Sequence, residues 1–332
     1  MPKVTLVQLV YNGMEYLPDS IGSLVVQTHT NKEIIVVING NEDGSKQYIE
    51  KNFPEVKIID PRENLKFARG HNLVFGSQDA DFFQLVNQDL ILEPNYVEEI
   101  LKVFVNPKVG AANGKIFQYD FRAKKRLPTL DTTGVVVYKS GRARSRGQNE
   151  LDTGQFNNAV ELMAVDGAAC MFRKSALEAV KYKRPDGRNE YFDEDMDMYW
   201  EDVDLSWRMV NAGLACRFAP GAIGFHGRTA SASPGGYKKV WSFVKHHRKI
   251  APWIRRLNYK NHIFLFLKNC PKLYWQFFAR EFFYNIYVLI FEPSTLKILP
   301  KFFRQLPSIW QKRKFIKNER KISLAEAERL FS

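Results

Sequence analysis

Three short, almost uninterrupted apolar runs constrain this chain more than any other feature: VTLVQLV at 4–10, EIIVVI at 33–38 and FFQLV at 82–86. A strand buried on one face alternates apolar and polar residues, whereas a continuous run belongs to a strand covered on both faces, as in a parallel sheet flanked by helices. Each run is followed by a turn-rich polar loop and then an amphipathic stretch, the order of βαβ units. Helices read as 15–27, 45–52 and 67–79, with a short strand at 56–59. The expectation is an α/β chain with a mostly parallel central sheet, whose ligands collect beyond the carboxyl ends of the strands. No G-x-G-x-x-G follows the first run and no G-x-x-x-x-G-K-[ST] occurs, which argues against a dinucleotide fold and a P-loop ATPase.

The loops carry the candidate chemistry. Tyr11-Asn12-Gly13 turns after the first run, Asn39 opens a loop dense in turn residues, and Asn64 to Asn72 leads into a helix. Asn87-Gln88-Asp89 ends the third run. An aspartate there suits a hard divalent cation, and suits an ordinary turn as well. Pro94 starts a helix through about 105, and 109–116 reads as a strand. The charged segment 118–131 reads as a surface loop, 133–138 as a short strand, and Arg142 to Gly147 as a basic turn that either attracts phosphate or is simply solvated. Strand character resumes over 163–173, then come a helix at 174–180, a strand at 214–219, a turn through Pro220-Gly221, and 223–226, ending on His226.

Between these lies the most acidic stretch of the chain. Asp193, Glu194, Asp195 and Asp197 crowd a loop, and Glu201, Asp202 and Asp204 fall in the first turn of a helix whose apolar face is Val203, Trp207 and Val210, widened by Leu205 and Met209. Carboxylates suit unpaired helix-start amides. Three together repel unless a cation or a proton is shared with them, and a carboxylate on a rigid helix terminus is well placed as a general base. The plainer reading is an acidic cap with a solvated face.

Charge divides the chain. Residues 236–332 hold 21 Lys and Arg against five Glu, net +16, while residues 1–235 hold 28 basic against 31 acidic, net −3. The basic part contains helical stretches rich in aromatics at 241–250, 259–266, 274–291 and 299–310. The run FFYNIYVLIF (282–291) is bounded by Glu281 and Glu292, and its ten residues are too few to span a bilayer. Aromatic and cationic helices of this kind suit an anionic membrane interface better than a nucleic acid, for which no reading motif appears; a solvated basic face is the plainer alternative. Three widely spaced cysteines, Cys170, Cys216 and Cys270, fit neither a zinc module nor a disulfide framework and point to a reducing compartment. The N-terminus reads as a buried strand, not a signal peptide.

Taken in order, the stretches 4–29, 33–45, 63–72, 85–100, 165–180 and 192–213 resemble family 2 glycosyltransferases of the GT-A fold, rhamnosyltransferase-like members especially. The resemblance covers about residues 3–235 and implies a catalytic domain at 1–235 with a basic helical region at 236–332. It also implies a nucleotide-diphosphate sugar donor, Mn²⁺ or Mg²⁺, and inversion at the anomeric carbon. Carried over, Asp202 matches the base that deprotonates the acceptor hydroxyl, Asp89 the metal ligand, and His226 the histidine reaching the metal or diphosphate. Asn87 stands near the ribose, and Tyr11, Asn12, Asn39, Asn64 and Asn72 along the nucleotide. One departure is Ile38, where the family has an aspartate that contacts the base. The implied reaction moves a sugar, with dTDP-rhamnose favoured, onto a lipid-linked cell-surface glycan at the cytoplasmic face of the membrane. The alternatives are a galactofuranose, N-acetylhexosamine or glucose nucleotide as donor, or a glycan-binding scaffold without turnover. A homo-oligomer is left open.

Overall fold

A computed structural model describes residues 1–40, 43–184, 186–227, 247 and 249–332. The expected boundary at 235/236 and nearly all of the expected helix at 241–250 lie outside the described residues. The amino-terminal half opens as β1 (Val4–Val10), α1 (Leu17–Val25), β2 (Lys32–Ile38), α2 (Ser45–Asn52), β3 (Lys57–Ile59), α3 (Lys66–Ser77) and β4 (Phe82–Leu85). After these come β5 (Leu90–Leu92), α4 (Tyr96–Leu101), β6 (Val109–Asp120) and β7 (Lys125–Thr132). A ribbon of β8 (Val135–Val137) and β9 (Ala143–Ser145) precedes β10 (Glu161–Leu162), β11 (Cys170–Arg173) and α5 (Lys174–Val180). The small pair β12 (Tyr182–Lys183) and β13 (Asn189–Glu190) leads to α6 (Glu201–Asn211) and β14 (Ala215–His226). Among the described residues, four α-helices close the chain: α7 (Pro252–Asn269), α8 (Trp275–Phe291), α9 (Leu299–Glu319) and α10 (Leu324–Arg329).

The main sheet has the path β10-β14-β6-β11-β4-β1-β2-β3, with β5 beside β14 and β7 beside β6. Parallel pairing of β1 with β2 and β4, of β2 with β3 and of β6 with β14 sets one direction, and β11 runs against both its neighbours. The continuous apolar runs are the central strands because both their faces are covered. On β1, Val4, Leu6 and Val10 point into a layer with Leu17, Ile21 and Ile49 of α1 and α2. Val7 points into the opposite layer with Phe75, Leu177 and Leu205 of α3, α5 and α6.

Two sequence expectations fail here. Segment 118–131 is not a surface loop: it runs through the β6–β7 hairpin, with Leu130 and Asp131 buried. Its charges line the exposed edge of the hairpin and so hide the alternation that marks a strand. Likewise, the basic turn expected at Arg142 to Gly147 is strand β9 over Ala143–Ser145 and turns only at Arg146 and Gly147; Arg146 lies 4.5 Å over the Phe156 ring and donates to Thr133. The three cysteines are free and buried.

The C-terminal helices pack directly on α6. Trp207 is fully buried, with its ring edge-on to Phe266 at 5.2 Å and to Phe331 at 5.6 Å. The basic region is therefore not a detached tail, and part of its charge lies inside the protein.

Candidate active site

The carboxyl ends of β1, β2 and β4 meet on one edge of the sheet, and backbone hydrogen bonds tie their loops together. The Tyr11 N–H donates to Gln88 Oε1 at 2.8 Å, and Gln88 Nε2 donates back to the Tyr11 carbonyl at 3.2 Å. At Gly13 a Cβ would stand 2.4 Å from Gln88 Oε1 and would push that side chain away from Tyr11. Asn12 takes φ 48°, a left-handed turn that asparagine tolerates. On the other side of the third loop, the Asn87 N–H donates to the Ala168 carbonyl at 2.9 Å, joining the end of β4 to the segment before β11.

The asparagines expected along the nucleotide divide. Tyr11 and Asn12 are exposed at the edge, and Asn64 and Asn87 are half-buried there, with Asn64 Oδ1 accepting from the Lys66 N–H at 2.9 Å. Asn39 is buried and uses its Oδ1 on the Leu65 N–H at 2.7 Å, fixing the start of α3 against the end of β2. Asn72 is tied inward. Its Nδ2 donates to the Phe192 carbonyl at 2.9 Å and to Glu194 at 3.1 Å, while its Oδ1 accepts from the Phe192 N–H at 2.8 Å. With both amide protons committed inside the protein, Asn72 anchors the acidic loop and has no donor left for a nucleotide.

Asp89 and His226 come together. β5 pairs antiparallel with β14 so that Leu90 lies opposite His226, and His226 Nε2 stands 3.2 Å from Asp89 Oδ1. Behind the ring, Nδ1 lies 2.8 Å from Oδ2 of the buried Asp131. Burial alone would depress this imidazole, but the Asp89 charge and the hydrogen bonds to both carboxylates raise it to about 9. Among the described residues no group of three or more His, Cys, Asp or Glu side chains is arranged to hold a metal ion. Two ligands of an open site remain: an Asp89 oxygen and, once its proton is displaced, His226 Nε2 face each other, and Asp131 orients the imidazole from behind. A small hard cation held by one or two protein groups takes its remaining oxygens from substrate phosphates.

Asp202 sits at the start of α6. The turn leading to it is strained, with Asp197, Tyr199 and Trp200 all at positive φ (59°, 70° and 75°). Asp202 Oδ2 accepts from the Gly167 N–H at 2.7 Å, and Oδ1 accepts from the Val203 N–H at 2.8 Å. A Cβ on Gly167 would lie 3.2 Å from that Oδ2, so glycine permits the approach. Burial, then the nearby Asp166 charge, push the Asp202 carboxyl from 3.8 up to about 6, against the pull of the two backbone amides. The three acidic groups of this turn are resolved differently. Asp204 is neutralised by Arg208 at 3.0 Å and Lys268 at 2.8 Å. Asp202 has amides only. Glu201 is buried, its Oε2 has no hydrogen-bond partner, and burial and the Asp202 charge drive it well above the ordinary carboxylate range.

The acidic loop in front of this helix is held by the C-terminal region. Lys312 reaches Glu190 at 2.8 Å, Asp193 at 2.5 Å and Asp195 at 2.9 Å, while Lys268 pairs with Asp193 and Lys301 with Asp197. Burial alone would raise Asp193, but Lys268 and Lys312 hold it well below the usual range. On α7, Asn261 Nδ2 reaches the carbonyls of Met196, Met198 and Tyr199 at 2.7, 3.0 and 2.9 Å, and Asn258 accepts from the Trp200 indole at 2.8 Å. Gln88, Asp131, Asn261 and the buried lysines were not legible as site residues, because each takes its place only through a partner distant in the chain.

The sequence model described as glycosyl transferase family 2 matches residues 5–180. The chain belongs to glycosyl transferase family 2. Its central sheet and C-terminal helical bundle make an α/β fold consistent with the GT-A nucleotide-sugar transferase fold. An uncharacterized glycosyltransferase of Haemophilus influenzae is 32% identical over 103 residues, covering 30% of this chain and 32% of that protein. The poly-beta-1,6-N-acetyl-D-glucosamine synthase of Staphylococcus aureus (strain COL) is 24% identical over 225 residues, covering 66% of this chain and 48% of that protein. The chain thus spans about half or less of the length of these curated relatives. Among solved structures, GalNAc-T7 with UDP, GalNAc and Mn²⁺ shares the fold at a TM-score of 0.58 and 10% identity, over 81% of this chain and 50% of that one. S. aureus TarS 1-349 shares it at 0.51 and 14% identity, over 99% of this chain and 89% of that one.

Proposed function

We propose that this family 2 glycosyltransferase moves an N-acetylhexosamine from a nucleotide-diphosphate donor to a hydroxyl of a lipid-linked glycan, with inversion. The observation that carries the reading is one edge of the sheet joining two acidic sites: Asp89 with His226 at the end of β4 and β14, and Asp202 at the start of α6, connected through Asn87, Ala168 and Gly167. Asp202 takes the acceptor proton as the acceptor oxygen bonds to the anomeric carbon, and the bond from that carbon to the diphosphate breaks, releasing the nucleoside diphosphate. A carboxyl near 6 is ionised at neutral pH and still basic enough to accept that proton. Asp89 and His226 are the residues that would hold a Mn²⁺ or Mg²⁺ ion. Such an ion would offset the charge growing on the departing diphosphate. Tyr11, Asn12, Asn64 and Asn87 line the nucleotide side, and residues 1–235 carry the chemistry.

The donor expectation changes. No relative reported above is named for rhamnose, whereas the staphylococcal relative is named for a polymer of N-acetylglucosamine. This favours UDP-linked N-acetylhexosamines over dTDP-rhamnose. The acceptor is met at the cytoplasmic face of a membrane; among the described residues no helix is long and apolar enough to cross one. The test is a panel of sugar nucleotides, each incubated with Mn²⁺, Mg²⁺ or chelator and a membrane-derived lipid acceptor. Metal-dependent release of UDP from an N-acetylhexosamine donor, stimulated by acceptor, is the expected result. Turnover of dTDP-rhamnose alone would refute the donor, and release of nucleoside diphosphate from no donor would refute the reaction.

A further inference from the structure

Helix α8 presents one face that nothing among the described residues covers. Trp275, Phe278, Phe282, Ile286 and Leu289 recur at spacings of three and four, with Phe283 and Ile290 beside them. Their exposures are 73%, 57%, 63%, 39%, 60%, 69% and 64%, in that order. At about 100° per residue these seven side chains fall within an arc of roughly 140°, and no charged residue lies inside it. The opposite face is the buried one. Phe277 and Val288 are in the core, and Glu281 turns inward to His262 at 3.0 Å. A face of this size and continuity on a folded chain marks an interaction surface.

The C-terminal region that carries this helix is cationic. Lys260, Lys268 and Lys312 are buried in the protein, but Lys297, Arg304, Lys314, Lys317 and Lys321 are exposed. On α9 the exposed stripe runs from apolar to basic: Phe303 and Trp310 stand seven residues apart, followed four and seven residues on by Lys314 and Lys317. Aromatic side chains at the level of lipid headgroups with cations beside them are the chemistry of an interfacial helix. The helix has 17 residues, about 25 Å at 1.5 Å each, and does not qualify as a membrane span.

We infer that α8 lies flat in the interface of an anionic phospholipid bilayer, its Trp275–Ile290 face inserted among the acyl chains while the exposed lysines and arginines of the C-terminal region meet the headgroups. The inference rests on the reading that the acceptor is lipid-linked, and names the surface that brings the enzyme to it. Insertion separates this from attachment by charge alone, which salt abolishes.

The test is sedimentation of the full chain with vesicles of phosphatidylcholine, with or without phosphatidylglycerol, at low and high salt. Binding to the anionic vesicles that weakens but persists in high salt is expected. The double variant Phe282→Asp with Ile286→Asp changes two exposed side chains and should lower that binding about tenfold or more. The pair Lys314→Glu and Lys317→Glu should remove only the salt-sensitive part. Vesicle binding unchanged in the double aspartate variant, no binding by the unaltered chain, or a vesicle-independent dimer that this variant splits would each overturn the inference. Donor turnover separates the two readings. If UDP release persists while vesicle binding fails, the membrane face is wrong and the reaction stands; if vesicles bind but no donor turns over, the reaction is wrong and the face stands.

Discussion

Replacing Asp202 with asparagine should stabilise the fold while stopping transfer. The carboxyl ionises near 3.8 in an unfolded chain and near 6 in the native one, so the native state holds this proton more tightly. Stability from that tighter hold is complete below about pH 4 and is lost as pH rises through 6. At 1.36 kcal/mol per pH unit of displacement, the loss at pH 8 is at most about 3 kcal/mol, and about half of it is already incurred at pH 5. Asparagine has no proton to lose. It can still accept from the Gly167 N–H, though its amide nitrogen faces the Val203 N–H less favourably. That second change costs the same at every pH and drops out of a comparison between two. The stabilisation of Asp202→Asn over wild type should therefore be about 1 kcal/mol greater at pH 8 than at pH 5, a difference of roughly a degree or two in melting temperature for a chain of this length. Differential scanning calorimetry of both proteins at the two pH values reads it directly. A difference independent of pH, or larger at pH 5, would refute the reasoning that burial and Asp166 resist this charge.

Three other changes follow from the same geometry. Asp89→Ala should weaken nucleotide binding in Mn²⁺ by about tenfold or more and leave binding in chelator unchanged, measured by titration calorimetry. Asn261→Ala releases three carbonyls of the strained turn before Asp202 and should lower kcat by about tenfold or more with little change in donor KM, because a misplaced base slows chemistry before binding. An equal loss in KM would point to a general folding defect instead. Lys312→Met leaves Glu190, Asp193 and Asp195 crowded around a missing cation and should cost about 3–5 kcal/mol, seen as a fall in melting temperature.

The central strands and their helices were legible because burial on both faces leaves an unbroken apolar run. α2 was expected at 45–52 and occupies Ser45–Asn52, and the apolar face expected for α6 is buried residue for residue. The outer part of the β6–β7 hairpin, residues 118–131, was not legible. It sits at an edge, its charged side chains face outward, and Asp131 gains its meaning only from pairing with His226, 95 residues away. The basic region misled for the same reason. A lysine bound for the interior looks like any other until its carboxylates are known, and Lys268 and Lys312 find theirs 75 and 119 residues back at Asp193. Asn72 reads as a loop residue beside a nucleotide, yet its amide closes on Phe192 and Glu194. Local pattern marks where chemistry can sit, and long-range pairing determines which polar groups remain available for it.

The pH dependence of acceptor-driven UDP release, for wild type and Asp202→Asn together, tests the central assignment most directly. Wild-type kcat should rise about tenfold per pH unit below 6 and level off above it, and the variant should stay at background across the range while binding donor as wild type does. A variant that keeps turning over with the same pH profile would show that another group takes the proton.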